Sequence, residues 1–209
     1  MVATSLALSF RVEGAAPLEF AAVPTLRFAL AIESSEPIRS LSLDVQLQIA
    51  ARRRGYGEGE HARLADLFGA PERWGTTLRT LLWTRATLVV PAFTGATVAD
   101  LDVPCTYDFE VTATKYLAGL EDGEVPLELL FSGTAFYGDG ALRAERIDWQ
   151  SEATYGLPVA VWRETMDRHF PGTAWVRVSR ETYGRLAAYR GQQALPSWDA
   201  VFDALLEEE

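Results

Sequence analysis

Cys105, Tyr107 and His169 are the residues of this sequence whose side chains are best suited to catalysis. A nucleophilic cysteine needs a base, usually a histidine, and a pair of donors for the oxyanion. The order of Cys105 and His169 along the chain does not show whether the two side chains meet, and a buried free cysteine usually packs as a small apolar residue. We therefore predict no catalytic residue, and we keep these three side chains as candidates for an enzyme or small-ligand site.

The glycine-rich segment between Arg52 and Gly59 raises the question of a phosphate loop or a metal site. A G-x-G-x-x-G loop needs glycine where Glu60 stands, and the chain has no Gly-Lys-Ser/Thr triplet. Glu58, Glu60 and His61 could supply metal ligands, but zinc needs three or four convergent ligands, and the second histidine is distant in sequence. A single cysteine also excludes an internal disulfide and a cysteine-based zinc cage. The sequence predicts no metal and no cofactor.

Aromatic and arginine side chains in the last third of the chain indicate a binding face instead. Most of the six tryptophans should lie in the core. Those that remain exposed would be aromatic anchors of the kind enriched at interface hot spots, with arginines beside them. The residues that we predict for such an interaction face are Trp162, Arg163, Trp175, Arg177 and Trp198.

The net charge and the lengths of the apolar runs argue against two classes of binding partner, nucleic acids and membranes. The 209 residues carry 29 acidic and 19 basic side chains, a formal net charge of −10. A net negative field repels polyphosphates, so nucleic-acid binding is disfavoured. No apolar run reaches the roughly 18–20 residues of a membrane span, and residues 1–10 lack the basic region of a secretion signal. We expect a cytoplasmic protein with no membrane or nucleic-acid partner.

Alternating apolar residues predict an antiparallel sheet over about the first 150 residues. The pattern is clearest from Leu41 to Ile49, where large apolar side chains alternate with serine, aspartate and glutamine. Short turns between such segments favour antiparallel pairing over β-α-β units. The segment from Gly14 to Pro17 should break the first strand. The strands expected are 6–12, 26–32, 38–49, 84–90, 98–103, 127–131, 131–137 and 142–149.

The segment from Tyr107 to Leu120 fits two structures. Phe109, Val111 and Ala113 alternate with polar residues as in a strand, and the threonines between them favour that structure. Several of the same apolar residues also share one face of a helix. An Asp-Gly pair, which is typical of a hairpin, follows. We predict a strand and leave the helix open.

Helical spacing marks residues 61–68 and most of the chain after Pro158. Pro158 suits a first helical turn, Ser179 is a good N-cap, and Pro196 opens a last helix. The sequence thus predicts one α+β domain over residues 1–209. Residues 1–150 should form an antiparallel β-sandwich, immunoglobulin-like in outline, and the α-rich residues 151–209 should pack on it.

Five short runs of the sequence together resemble a known family. They are Ala22-Val23-Pro24-Thr25-Leu26, Asp66-Leu67-Phe68-Gly69, Val103-Pro104-Cys105-Thr106-Tyr107-Asp108, Phe131-Ser132-Gly133-Thr134 and Pro158-Val159-Ala160-Val161-Trp162-Arg163. They are similar to an uncharacterised bacterial, mainly actinobacterial, family of unknown function, whose genes are often found near uptake nickel–iron hydrogenase clusters. The resemblance covers nearly the whole chain and transfers no catalytic residue. It implies a cytoplasmic accessory protein linked to the assembly of a redox enzyme.

These observations lead to a first hypothesis, a non-enzymatic accessory or protein-interaction protein with an unidentified protein partner. One alternative is an enzyme or small-ligand binder with a pocket between the sheet and the C-terminal helices. It requires that at least two of Cys105, Tyr107 and His169 meet in a concave site. The other is a self-assembling structural protein, a homo-oligomer, because the edges of sandwich sheets are ready pairing surfaces.

Overall fold

The computed structural model describes residues 6–108, 111–138, 140–169, 171–173 and 175–207. The chain forms two compact units, residues 1–174 and residues 175–209. The first unit contains two sheets and four α-helices, and the second contains two further helices among the described residues. Within those ranges, every helix is too short or too polar to cross a bilayer.

Two antiparallel sheets make up most of the first unit. Their strands are β1 (Leu8–Pro17), β2 (Thr25–Ser34), β3 (Ile38–Ile49), β4 (Leu81–Val90), β5 (Ala96–Pro104), β6 (Glu124–Tyr137), β7 (Arg143–Arg146) and β8 (Glu152–Pro158). The first sheet has the order β1–β2–β5, and the second has the order β4–β3–β6–β7, with β8 also paired to β6. The strand order is that of an immunoglobulin-like sandwich with one difference. The fourth strand, β4, pairs with β3 in the second sheet and not with the strands of the first sheet. The predicted α+β class and sandwich are confirmed.

The inward faces of both sheets share one core. Every second side chain from Leu41 to Ile49 is apolar, and all of these apolar side chains are buried, as the sequence predicts. Ring contacts join the sheets, since Phe10 of β1 stacks on Phe131 of β6 with 4.2 Å between centroids. Phe28 of β2 meets Tyr155 of β8 edge-on at 6.1 Å. Each fully buried side chain of this size contributes about 1.5–3 kcal/mol, so this layer dominates the stability of the unit.

The helices of the first unit lie in the connections between strands and after the last one. They are α1 (Glu58–Phe68), α2 (Trp74–Thr77), α3 (Thr112–Gly119) and α4 (Val159–Asp167). Helix α1 confirms the helical spacing read over residues 61–68, and Gly69 ends it at a φ of +75°. Helix α4 starts directly after Pro158 and contacts β1, β2 and β8.

Helix α3 corrects the strand predicted for the segment from Tyr107 to Leu120. Ala113, Tyr116 and Leu117 are buried, so the spacing of three and four residues is the one that packs. The helix lies against α1, and this tertiary contact outweighs the weak strand preference of the threonines. Phe109, which both patterns used, lies outside the described residues.

Two strands depart from the alternation pattern. Strand β8 has no counterpart among the predicted strands, because its short run includes Gly156 and ends at Pro158. Pairing along β6 holds it in place. Strand β1 continues through Pro17, because a bulge between Val12 and Gly14 absorbs the glycine and restores the pairing with β2.

The second unit contains the helices α5 (Arg180–Gln192) and α6 (Trp198–Glu207). Ser179 caps α5 as predicted, since its Oγ accepts a hydrogen bond from the Thr182 amide at 3.0 Å. The two helices meet through Trp198, whose ring lies 5.5 Å from that of Tyr183 and 5.2 Å from the guanidinium of Arg190.

Candidate functional site

Three segments meet at one end of the sandwich. We call this surface the loop end and define it as residues 18–24 between β1 and β2, residues 105–108 after β5, and residues 166–169 at the end of α4. Antiparallel register places Thr25 of β2 opposite Pro104 of β5. The Cys105 amide then donates to the Pro24 carbonyl at 2.7 Å. Strand register therefore decides which two segments lie side by side here.

The loop end presents Phe20 to solvent. The side chain of Phe20 is fully exposed, and its φ of +58° lies in the left-handed region. That region is a genuine outlier for a bulky side chain, and holding a residue there costs roughly 1–3 kcal/mol. Val23 of the same loop is also exposed. Backbone strain combined with an exposed aromatic ring singles out this loop as a candidate contact.

The end of helix α4 braces the loop that carries Phe20. Nε2 of His169 lies 3.1 Å from the Ala21 carbonyl, and Nδ1 lies 3.3 Å from the Thr165 carbonyl. Arg168 Nη1 lies 3.5 Å from Oε1 of Glu19. Both flanks of Phe20 therefore contact the end of α4, the Ala21 side through its carbonyl and the Glu19 side through a long, solvent-exposed ion pair.

The three candidates for catalysis all lie at the loop end, where their polar atoms contact main-chain carbonyls. Cys105 is buried, and its Sγ lies 3.7 Å from the Val103 carbonyl. Burial raises the pKa of the Cys105 thiol to about 12. The Tyr107 hydroxyl donates to the Met166 carbonyl. These contacts, with those of His169, describe structural attachment points rather than an activated nucleophile and its base.

We expect the Cys105 thiol to be almost inert in the folded chain. With a pKa of about 12, the thiol stays protonated at pH 8, and burial blocks access of the reagent. Reaction with Ellman's reagent at pH 8 should be at least roughly 100-fold slower in buffer than in 6 M guanidinium, where one equivalent should react at once. A fast reaction in buffer would contradict this assignment and support the enzyme alternative.

A second group of charged side chains lies where the sequence raised a phosphate loop. Arg54 and Glu60 form a buried bidentate ion pair, with nitrogen–oxygen distances of 2.7 and 2.8 Å. The Glu60 carboxylate also accepts hydrogen bonds from the amides of Glu121 and Gly57. Burial alone would raise the pKa of Glu60, but these hydrogen bonds, first among them those from Arg54, lower it to about 2. The pair joins α1 to the turn before β6 and carries no free ligand atom for an anion.

The neighbours of this ion pair are also committed to structural contacts. The hydroxyls of Tyr56 and Tyr116 lie 2.9 Å apart, and the ring of His61 meets that of Trp74 edge-on at 4.8 Å. Within the part of the chain that the structure describes, no three histidine, cysteine, aspartate or glutamate side chains are grouped so that they could hold a metal ion.

The residues predicted for an interaction face are divided between the two units. Trp162 is buried in the core of the first unit, so its ring is not available to a partner, and Arg163 donates to the Leu120 carbonyl. In the second unit Trp175 and Arg177 are exposed. Trp198 is half-buried between Tyr183 and Arg190, as described above. The predicted set is therefore not one patch on either unit.

Sequence reasoning did not single out Phe20. The available signal was a phenylalanine in a short segment between two predicted strands, where turn residues are usually polar. Its neighbours Ala21 and Glu19 contact the end of α4, a helix that begins more than a hundred residues later in the chain. Local periodicity carries no information on such a contact.

Comparisons with known proteins give a family but no activity. A family model described as "Family of unknown function (DUF6084)" matches residues 5–209. The search of curated proteins found no match. Among solved structures, two of the β-glucosidase from Kluyveromyces marxianus, one selenomethionine-labelled and one with glucose, align at 7% identity and a TM-score of 0.27. Each alignment covers 72% of this chain, and the chain spans 15% of the structures that it matches.

Proposed function

The chain belongs to the DUF6084 family, whose function is unknown, and from that premise we propose that it is a non-enzymatic accessory protein that acts by binding another protein. The observation that carries the proposal is Phe20, an exposed aromatic ring on a strained and braced loop. The ring is the anchor that enters an apolar pocket of the partner. We place this function in the cytoplasm.

The energetics of the loop end support such a contact. Burying one phenylalanine in a partner contributes about 1.5–3 kcal/mol, which is the size of a hot-spot residue. Association normally loses part of this energy to ordering of loops and side chains. The contacts of Ala21 and Glu19 with α4 hold the loop before binding, so less ordering remains.

The family context suggests which partner to seek. The resemblance to a bacterial family encoded near hydrogenase genes supports a component of a hydrogenase-type redox enzyme system. The role in such a system is assembly or support. The chemistry of the described residues favours this over metal delivery, because the single cysteine is buried and Glu60 is committed to Arg54.

Affinity purification from a native host tests the proposal. Tagged wild-type chain should recover a stoichiometric partner, and Phe20→Asp should lose at least roughly tenfold in affinity for it, because a carboxylate cannot enter an apolar pocket. Val89→Asp is the matched control, since Val89 is an exposed apolar residue on strand β4, and it should bind like wild type.

Two outcomes would overturn the proposal. One is recovery of the chain alone across low and high salt, with a monomer by light scattering. The other is equal loss of the partner in Phe20→Asp and Val89→Asp. The circular dichroism spectra of both variants should match that of wild type, since both side chains are exposed. Phe20→Asp should melt no lower than wild type, because aspartate adopts a positive φ more readily than phenylalanine. Val89→Asp should melt slightly lower, because aspartate is disfavoured in a strand.

A further inference from the structure

Helix α6 of the second unit has an apolar face that is only partly covered. Val201 is fully buried, whereas Phe202, Leu205 and Leu206 are exposed, Leu206 at 73%. Phe202 and Leu206 are four residues apart, so they form one ridge along the helix surface. A ridge of this kind matches the spacing by which a helix binds in a groove of another protein.

A row of carboxylates runs beside this ridge. Asp199, Asp203 and Glu207 are also spaced by four residues, and all three are exposed. At 100° per residue the row lies next to Leu206, on the side of the helix opposite the buried Val201. A row of acidic side chains therefore borders the exposed apolar ridge on the side away from Val201.

The chain from Gly191 onward carries charge of one sign, whereas Arg190, just before it, lies over the ring of Trp198. Residues 191–209 contain five acidic residues and no lysine, arginine or histidine. An acidic membrane surface would repel this helix. A second copy of the chain, with a net charge of −10, is disfavoured by the same repulsion. The complementary surface is an apolar groove with basic side chains along one rim.

We propose that α6 is a docking helix, and that it binds a partner protein through an apolar groove bordered by lysine or arginine side chains. Phe202 and Leu206 enter the groove, and Asp199, Asp203 and Glu207 face the basic rim. This contact is distinct from the one proposed for Phe20, and either can fail without the other.

A photo-crosslinking experiment in the full chain identifies the occupant. p-Benzoylphenylalanine replaces Leu206 in the native host, with the same substitution at Leu142, an exposed leucine of the first unit, as the control. We expect a crosslinked protein from position 206 that position 142 does not give. A crosslink only to a second copy of this chain, or no specific crosslink, would overturn the proposal.

The affinity of the purified partner for the full chain then tests the chemistry. Leu206→Asp should weaken binding at least tenfold. Neutralising the row with Asp199→Asn, Asp203→Asn and Glu207→Gln should weaken binding at low salt and flatten its salt dependence. The matched control changes three exposed carboxylates of the first unit, Glu33, Glu58 and Glu72, to glutamine.

The two triple variants have equal net charge, so only the position of the carboxylates differs between them. The control should retain wild-type affinity and salt dependence. Equal effects of both triple variants would contradict the proposed rim contact. Binding of wild-type chain to neutral phosphatidylcholine vesicles that is lost in Leu206→Asp would also overturn it, because the ridge would then be a membrane contact.

Discussion

Gly133→Ala should lower the free energy of unfolding of the first unit by at least about 4 kcal/mol, so that this unit no longer folds stably. The φ of Gly133 is +133°, which side chains rarely adopt. A Cβ at this position would overlap the carbonyl oxygen of Ser42 on β3 and lie 3.0 Å from its carbon. Both partners are backbone, so the clash could be relieved only by separating β3 from β6.

The position of Gly133 explains why that separation would be so damaging. It lies opposite Leu43 in the pairing of β3 with β6, the two central strands of the second sheet. It also lies between the stretch of β6 that pairs with β8 and the stretch that pairs with β7. The Gly133 carbonyl accepts a hydrogen bond from the Ile147 amide at 3.1 Å. A displacement here would disturb three strands at once.

Gly95→Ala is the matched control for the effect of backbone conformation. Gly95 also has a positive φ, +75°, but no atom lies within 4 Å of an added Cβ. Gly95→Ala should lower the free energy of unfolding by only about 1 kcal/mol. Urea unfolding followed by the sheet signal in circular dichroism, with the soluble yield, separates the two variants. A Gly133→Ala chain that unfolds within 1 kcal/mol of wild type would refute the assigned backbone contact.

Glu60→Gln should destabilise the first unit by about 3 kcal/mol or more at pH 7. The amide keeps the shape of the carboxylate but leaves the buried guanidinium of Arg54 without a counter-ion. One of the two Arg54 contacts would also become donor against donor. The pKa shift of Glu60, from 4.5 to about 2, corresponds to a stabilisation of the same size.

The same shift predicts how the effect of this substitution depends on pH. The carboxyl of Glu60 has a lower pKa in the folded chain than in the unfolded chain, so folding is stabilised at pH values above about 4.5. That contribution is lost as the pH falls towards about 2. The difference in unfolding free energy between wild type and Glu60→Gln should therefore be constant from pH 7 to about 5. It should then fall towards zero near pH 2. A difference that stays constant down to pH 2.5 would contradict the assignment.

Glu121→Gln is the control, because it removes an ion pair that is exposed and not buried. Glu121 pairs with Arg63 at 2.5 Å, but both side chains are about half exposed. Exposed pairs contribute roughly 0–1 kcal/mol because water and salt screen them. Equal losses in Glu60→Gln and Glu121→Gln would show that burial of the Arg54 pair is not what matters.

Much of the sandwich was predictable because its residues alternate. From Leu41 to Ile49 every second side chain is buried, and a period of two has no other simple structural meaning. The N-cap of α5 at Ser179 and the glycine end of α1 are similarly local, since a cap is made by atoms a few residues apart. Where two periods fitted the same residues, as in α3, packing against α1 decided the structure.

The candidate site was only partly predictable. Cys105, Tyr107 and His169 were chosen for their chemistry, and the structure places all three at the loop end. Their contacts with main-chain carbonyls were not visible in the sequence. Glu60 was considered as a metal ligand, but the fold uses it to pair with Arg54, six residues earlier.

The amino-acid sequence by itself determined the sandwich class, the main strands and the acidic character of the last helix, because each depends on residue type and short-range period. Tertiary structure alone decided that Phe20 is presented on a braced loop. The brace joins His169 to Ala21 across 148 residues, and the alternation of side chains records which residues are buried but not which distant segments meet.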